Sequence, residues 1–315
     1  MHATFALVFL GARGTRRRSG VVASRAVNTP SAPLLRRGPQ TALASSLLLV
    51  VAACGSPPPA ESPAESPAAS SAPASSAAQA APIAPEASPF QKASVARGGQ
   101  LYDTWWKVSG VLDGKEPTDT NPEYLKTQGK KTGSTTYRCK ECHGWDYAGS
   151  EGVYGSGGRF TGVGGLLRAQ RGMTPEALYK MLREGRADGS HKVFAAHLSE
   201  ADTWDLVRFV KEGITDLAPH VSTAKKEPIG ADEKLGGERF SRCAGCHGSD
   251  GKKANFGKAD APEYVGTIAQ ENPWEFLHKV RFGQPGTAMP AGVSEGWSMK
   301  DAVSVLAHAR TLPVK

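Results

Sequence analysis

Cys139-Lys140-Glu141-Cys142-His143 and Cys243-Ala244-Gly245-Cys246-His247 are the stretches on which the reading of this chain turns. Each is C-x-x-C-H. Two thiols three positions apart lie on one helical turn, where each can form a thioether with a vinyl group of the same haem. The adjacent His is then held under the iron as its proximal ligand. This is the attachment pattern of a c-type haem, so two covalently bound haem c groups are expected. A zinc ribbon would want about 15–20 residues between its Cys pairs, whereas 139 to 243 is 104 positions. A thioredoxin-like dithiol needs a βαβ setting, and the sequence offers none.

Working outward from the motifs, the two halves of the chain overlay on helix signals alone. Thr174-Pro175 and Asn272-Pro273 each read as an N-cap followed by Pro at the first helical position. Leu178, Met181 and Leu182 form the apolar stripe of the first helix, which Gly185 stops. Phe276, Leu277 and Val280 form that of the second, which Gly283 stops. Later helices begin at Ser199 and Ser298, each with Asp three residues on (Asp202, Asp301), a variant of the capping box. The offsets agree: 174 to 199 is 25 positions and 272 to 298 is 26. Gly236-Gly237-Glu238-Arg239-Phe240 runs straight into the second motif. Its counterpart, Gly98-Gly99-Gln100-Leu101-Tyr102, is separated from Cys139 by an insertion from near Trp105 to Tyr137. Lys107 to Ser134 is polar and rich in Gly, Pro, Asp and Lys, which predicts a surface loop.

On these residues both halves resemble class I c-type cytochromes: N-terminal helix, C-x-x-C-H, short middle helix, Met-Pro loop and C-terminal helix. The resemblance covers residues 91–315. It implies an all-α fold of two tandem cytochrome c domains, 91–225 with the inserted loop and 226–315, and a role in electron transfer. The family's distal iron ligand is usually a Met between the last two helices. Ala288-Met289-Pro290-Ala291 fits, with Met289 17 positions after Asn272. The first half departs from the pattern, for 17 positions after Thr174 stands His191 and no Met lies between Met181 and Ser199. His191 is therefore the candidate sixth ligand of the first haem. His197 is the fallback, and an open or water-bound iron is the remaining reading. The expected iron ligands are thus His143, His191, His247 and Met289. His278 and His308 fall within helices and are expected at solvent or a haem edge. Trp105, Trp106, Trp145 and Tyr147 flank the first motif and read as haem packing, with a docking surface as the other reading. The Gly-rich stretch from Gly149 to Gly165 lacks the preceding strand and the following Lys-Ser/Thr of a phosphate loop. It is expected to let backbone pass close to the haem edge.

The N-terminus reads as an export signal. Residues 1–53 hold seven arginines (Arg13, Arg16, Arg17, Arg18, Arg25, Arg36, Arg37) and no acidic residue, and end in Leu47-Leu48-Leu49-Val50-Val51-Ala52-Ala53. That apolar run is too short to span a bilayer, which takes about 20 residues. Val51-Ala52-Ala53-Cys54 resembles a bacterial lipobox, so Cys54 is the expected lipidation site and membrane anchor. Gly55, rather than Asp, after it leaves outer- as well as inner-membrane delivery open. Residues 54–90, mostly Ala, Pro, Ser and Glu, are expected to be a disordered tether, because they hold too little apolar surface to offset ordering entropy. The chain's formal charge of +8 becomes +1 once the seven arginines are subtracted (8 − 7). The basic balance belongs to the signal, and no nucleic-acid partner is expected.

No nucleophile–base pair, carboxylate cluster or further metal motif stands out. The sequence therefore favours an electron carrier over an enzyme: an exported, periplasm-facing lipoprotein that passes electrons between redox protein partners of the periplasm or membrane. A thioether distal ligand favours reduced iron, so transfer is expected from a His/His haem 1 to a His/Met haem 2. The competing reading is a dihaem oxidoreductase acting on a small inorganic substrate at a labile haem 1 iron.

Overall fold

The computed structural model describes residues 86–315. The expected signal over residues 1–53, Cys54, and the tether as far as residue 85 lie outside the described residues. Among the described residues the chain is helical and has no strand, only two isolated bridges, Gly149 with Gly164 and Val221 with Pro228. The all-α expectation holds.

Ser88 opens the first short helix, α1 (Pro89–Lys92), through a capping box with Gln91. Ser94 caps α2 (Val95–Thr104) by accepting from the Arg97 N–H. After the insertion come α3 (Cys139–His143), α4 (Leu167–Gly172), α5 (Pro175–Glu184) and α6 (Glu200–Arg208), the last running on into a π turn, Phe209–Gly213. The second half comprises α7 (Glu233–His247), α8 (Val265–Glu271), α9 (Pro273–Phe282) and α10 (Met299–Ala309).

The internal repeat is visible element by element. Ser199 and Ser298 both complete their capping boxes: each side chain accepts from the Asp N–H three residues on, and that Asp accepts in return. Thr174 caps α5 and Gly185 ends it; Gly283 ends α9. Asn272 holds the N-cap position of α9 without a side-chain cap bond to the helix, because its amide donates to Glu275 instead. In the second half α7 runs unbroken into the haem motif, whereas in the first half the chain leaves the helix at Thr104 and returns at Cys139. The N-terminal helix of each half crosses its C-terminal helix at a glycine. A Cβ on Gly98 would collide with the Asp205 carbonyl, and one on Gly236 with the Ser304 carbonyl. The glycines therefore set how closely these helices approach.

The insertion is not a plain surface loop, and that expectation is corrected. It contains 3-10 turns at Gly110–Leu112, Tyr124–Lys126 and Ser134–Tyr137, and it buries Asn121, Tyr124, Thr136 and Tyr137. Its few aromatics go inward while the many Lys, Gly and Asp between them stay out, so its average composition misrepresents its path.

The two halves pack through α9. Trp274, Phe276, Leu277, His278, Val280 and Phe282 are all buried, so this helix is enclosed on every side. Burying a Phe such as Phe282 contributes about 1.5–3 kcal/mol. Gly99 of α2 lies directly against the Phe282 ring, and any Cβ there would collide with it. His278, expected at solvent or a haem edge, is instead fully buried at this junction. Its Nε2–H donates to the Gly99 carbonyl (3.0 Å) and its Nδ1 accepts from the Tyr147 hydroxyl (2.9 Å). The rings of Trp145, Tyr102 and Phe209 surround it. A histidine can sit there because the neutral ring finds one acceptor and one donor. Beside it Lys279 and Arg138 both pair with the buried carboxylate of Asp103. Burial alone would raise that carboxyl's pKa, but the two cations hold it well below the usual carboxylate range.

Candidate haem sites

Arg138 enters α3 in an extended conformation, and Gly144, at φ 77°, ends it immediately after His143. This single turn puts Cys139 and Cys142 on the wall of one cavity with His143. The remaining wall is largely apolar, from Leu178, Met181, Leu182, Phe194, Leu198 and Val210, and encloses about 980 Å³ including its mouth. Burial pushes both thiols up to about 12, so the cavity holds neutral sulfurs rather than thiolates. Among the described residues no three or more His, Cys, Asp or Glu converge to hold a bare metal ion.

His143 is aimed by the Gly-rich stretch. Its Nδ1 donates to the Gly164 carbonyl (2.8 Å), which leaves Nε2 as the free lone pair. Gly149 returns an N–H to the His143 carbonyl (2.9 Å), and a Cβ on Gly149 would collide with Val163 and Gly164. The close approach here is of backbone on backbone, Gly149 against Val163 and Gly164. Burial lowers the pKa of His143 to about 4, so the ring is neutral and able to ligate.

Across the cavity stands His191. Its ring is nearly parallel to that of His143, at 14°, with centroids 5.9 Å apart. Two imidazoles whose ligating nitrogens faced one metal at about 2.0 Å would have ring centres about 6 Å apart. The residues present fit a haem iron between two histidines. Burial lowers the pKa of His191 as well. His191 occupies the left-handed region at φ 69°, a conformation that costs a non-glycine residue about 1–2 kcal/mol. Two backbone donors hold it: its own N–H and that of Val193 both reach the Glu123 carboxylate, at 2.5 and 2.7 Å. His197, the fallback, is not on the cavity wall. Its ring lies against Trp105, with centroids 5.0 Å apart. Of the four flanking aromatics, Trp145 and Tyr147 belong to the junction around His278 and Trp105 packs on His197.

The second motif closes α7, and Gly248, at φ 82°, ends that helix by donating to the Ala244 carbonyl. Cys243 is half-buried and Cys246 exposed. Among the described residues the buried Nδ1 of His247 has no hydrogen-bond partner, and burial lowers its pKa. Its ring lies 5.8 Å from that of Phe256, which is itself half exposed. Met289 is half-buried on the loop after α9, with its N–H on the Thr287 hydroxyl (3.2 Å). A Cβ on Gly283 would collide with the Met289 carbonyl, so the glycine that ends α9 also seats this loop.

Sequence reasoning missed Asn121, Glu123 and Tyr124, which line the first cavity from the insertion, and Gly164 as the partner of His143. Nothing in the local sequence marks Glu123, because its partners lie 68 and 70 positions away.

Two stretches, residues 126–210 and 238–308, match the family described as Cytochrome C oxidase, cbb3-type, subunit III. No curated protein and no solved structure matches the chain. A cytochrome c domain implies covalently bound haem c and a haem-based electron-transfer role. Each matched stretch carries one C-x-x-C-H, and the match supports a cytochrome c family for these two stretches.

Proposed function

We propose that the chain is a dihaem electron carrier, exported, anchored to a periplasm-facing membrane through lipidated Cys54, and passing electrons between redox proteins. The observation that carries the reading is the pair of parallel imidazoles, His143 and His191, 5.9 Å apart across a cavity that Cys139 and Cys142 line. His143 and His191 would hold a haem iron from both sides, and a site so closed would transfer electrons and leave a substrate no position on the iron. Bound haem supplies one-electron cycling between Fe(III) and Fe(II); the protein supplies ligands, burial and docking.

Two features set the direction of transfer. Met289, as distal ligand of the second site, is a thioether and favours reduced iron, whereas His191 does not. The proximal ligands add to this. His143 donates to the Gly164 carbonyl, which raises the basicity of its ligating nitrogen and favours oxidised iron. His247 has no such partner. Both differences make the first site the lower in potential, so electrons run from the first half to the second. Exposure agrees with exit at the second half. In the first motif Lys140 and Glu141 are buried and Cys142 half-buried, while in the second Ala244 is half-buried and Gly245 and Cys246 are exposed. The matched family is described as an oxidase subunit, which supports a membrane oxidase or its donor as partner.

A spectroelectrochemical titration of the full chain tests this, run beside Met289→Ala. The expected result is two separate one-electron waves, with the substitution moving the higher wave alone. A single wave, or a shift confined to the lower one, would overturn the assignment.

A further inference from the structure

The insertion does more than lengthen the first half. It ties the haem-attachment side of the first cavity to the distal side. Thr136, three residues before Cys139, accepts from the Asn121 N–H through its hydroxyl (2.9 Å) and from the Asn121 side-chain amide through its carbonyl (3.3 Å). Asn121 in turn accepts from the Glu123 N–H (2.9 Å), and both Asn121 and Thr136 are buried. From that fixed base the Glu123 carboxylate reaches across to the N–H groups of His191 and Val193, using one oxygen for each. Hydrogen bonds to a charged acceptor are the stronger kind. The 3-10 turn Lys192–Ala196 that follows His191 has no side-chain cap of its own. The cap comes instead from Glu123.

We infer that Glu123 is the positioning residue of the distal ligand: it holds His191 in its left-handed conformation so that the imidazole stays opposite His143. The inference rests on the reading of His191 as a distal ligand. The Glu123 carboxylate bonds to the backbone N–H groups of His191 and Val193 rather than to either imidazole, so it acts through the main chain that carries the ligand. It also lies just outside the stretch that matches the family, which begins at residue 126. The device belongs to this chain's inserted segment. Without it, the strained backbone at His191 would relax and the ring would spend more time away from the iron.

The test uses the haem-loaded full chain and carbon monoxide as probe, comparing wild type with Glu123→Ala, Glu123→Gln and His191→Ala. Carbon monoxide reaches a six-coordinate reduced iron only as fast as its distal ligand leaves. Losing charge-assisted hydrogen bonds from Glu123 should raise that rate at the first site by about tenfold or more in Glu123→Ala. Glu123→Gln keeps the shape and one acceptor oxygen and should show a smaller rise. The optical and EPR signature of the His247 site should stay at wild type in all variants and reports an intact fold. Wild-type carbon monoxide rates in both Glu123 variants, with an open site in His191→Ala, would overturn the inference and leave the ligand reading standing. A closed, low-spin first site in His191→Ala would overturn the ligand reading itself, and the inference with it.

Discussion

His278 is neutral because a second proton on its ring would put an unsolvated charge in the core and displace the Tyr147 hydroxyl from Nδ1. Burial lowers its pKa to about 3, with the cations Lys279 and Arg281 adding to the effect and Asp103 and the Gly99 carbonyl opposing it. Its Nδ1 already accepts from Tyr147 and its Nε2–H already donates. The sign of the linkage follows. The native state stays unprotonated down to about pH 3, while the unfolded chain binds a proton below about pH 6.5. Stability from this site is complete above about pH 6.5 and falls as the pH drops below it, by about 2 kcal/mol at pH 5. Urea unfolding of wild type and His278→Gln across pH 5–8 checks this. Gln offers one donor and one acceptor but does not titrate, so its curve should lack that portion of the acid loss; parallel curves would contradict the assignment. At this scale the sequence was unevenly legible. His191 could be found by counting from Thr174, since a repeat keeps its register. Glu123 and the burial of His278 could not, because both depend on contacts between segments far apart in sequence.

The helices themselves were largely readable, because their ends are local chemistry. Ser199 with Asp202 and Ser298 with Asp301 close their own capping boxes, and Gly185 and Gly283 stop their helices through positive φ. The insertion was misread, because a segment's average polarity does not tell where its few aromatics go. Tyr124 and Asn121 are buried against the cavity despite their polar neighbours. The paired glycines at the helix crossings give a prediction at this scale. Gly98→Ala and Gly236→Ala each add a methyl where a facing carbonyl already stands. Each should destabilise by about 1–3 kcal/mol from overpacking, less the helical preference for Ala. Thermal melts check it, with Gly172→Ala as the control, since a Cβ there meets nothing within 4 Å. A control that melts lower than both crossing variants would remove the close-approach explanation.

At the scale of the whole molecule the two halves are a repeat made unequal. The first half gains an inserted segment over its haem motif and receives α9 of the second half against α2. The second half keeps the simpler plan, an unbroken α7 and an exposed Cys246. On the proposed reading this inequality gives the molecule a sheltered low-potential site and an accessible high-potential one. The repeat was legible because both copies keep their helix signals. The packing of one copy on the other was not, since it is written in the all-round burial of α9 rather than in any motif. The central claim is that each iron is closed by two side chains, His143 with His191 and His247 with Met289. Low-temperature EPR of the oxidised full chain, with His191→Ala and Met289→Ala alongside, tests it most directly. Two distinct low-spin signals are expected in the wild type, with the loss of one in His191→Ala and of the other in Met289→Ala. A high-spin signal already present in the wild type, or an unchanged spectrum in His191→Ala, would contradict it.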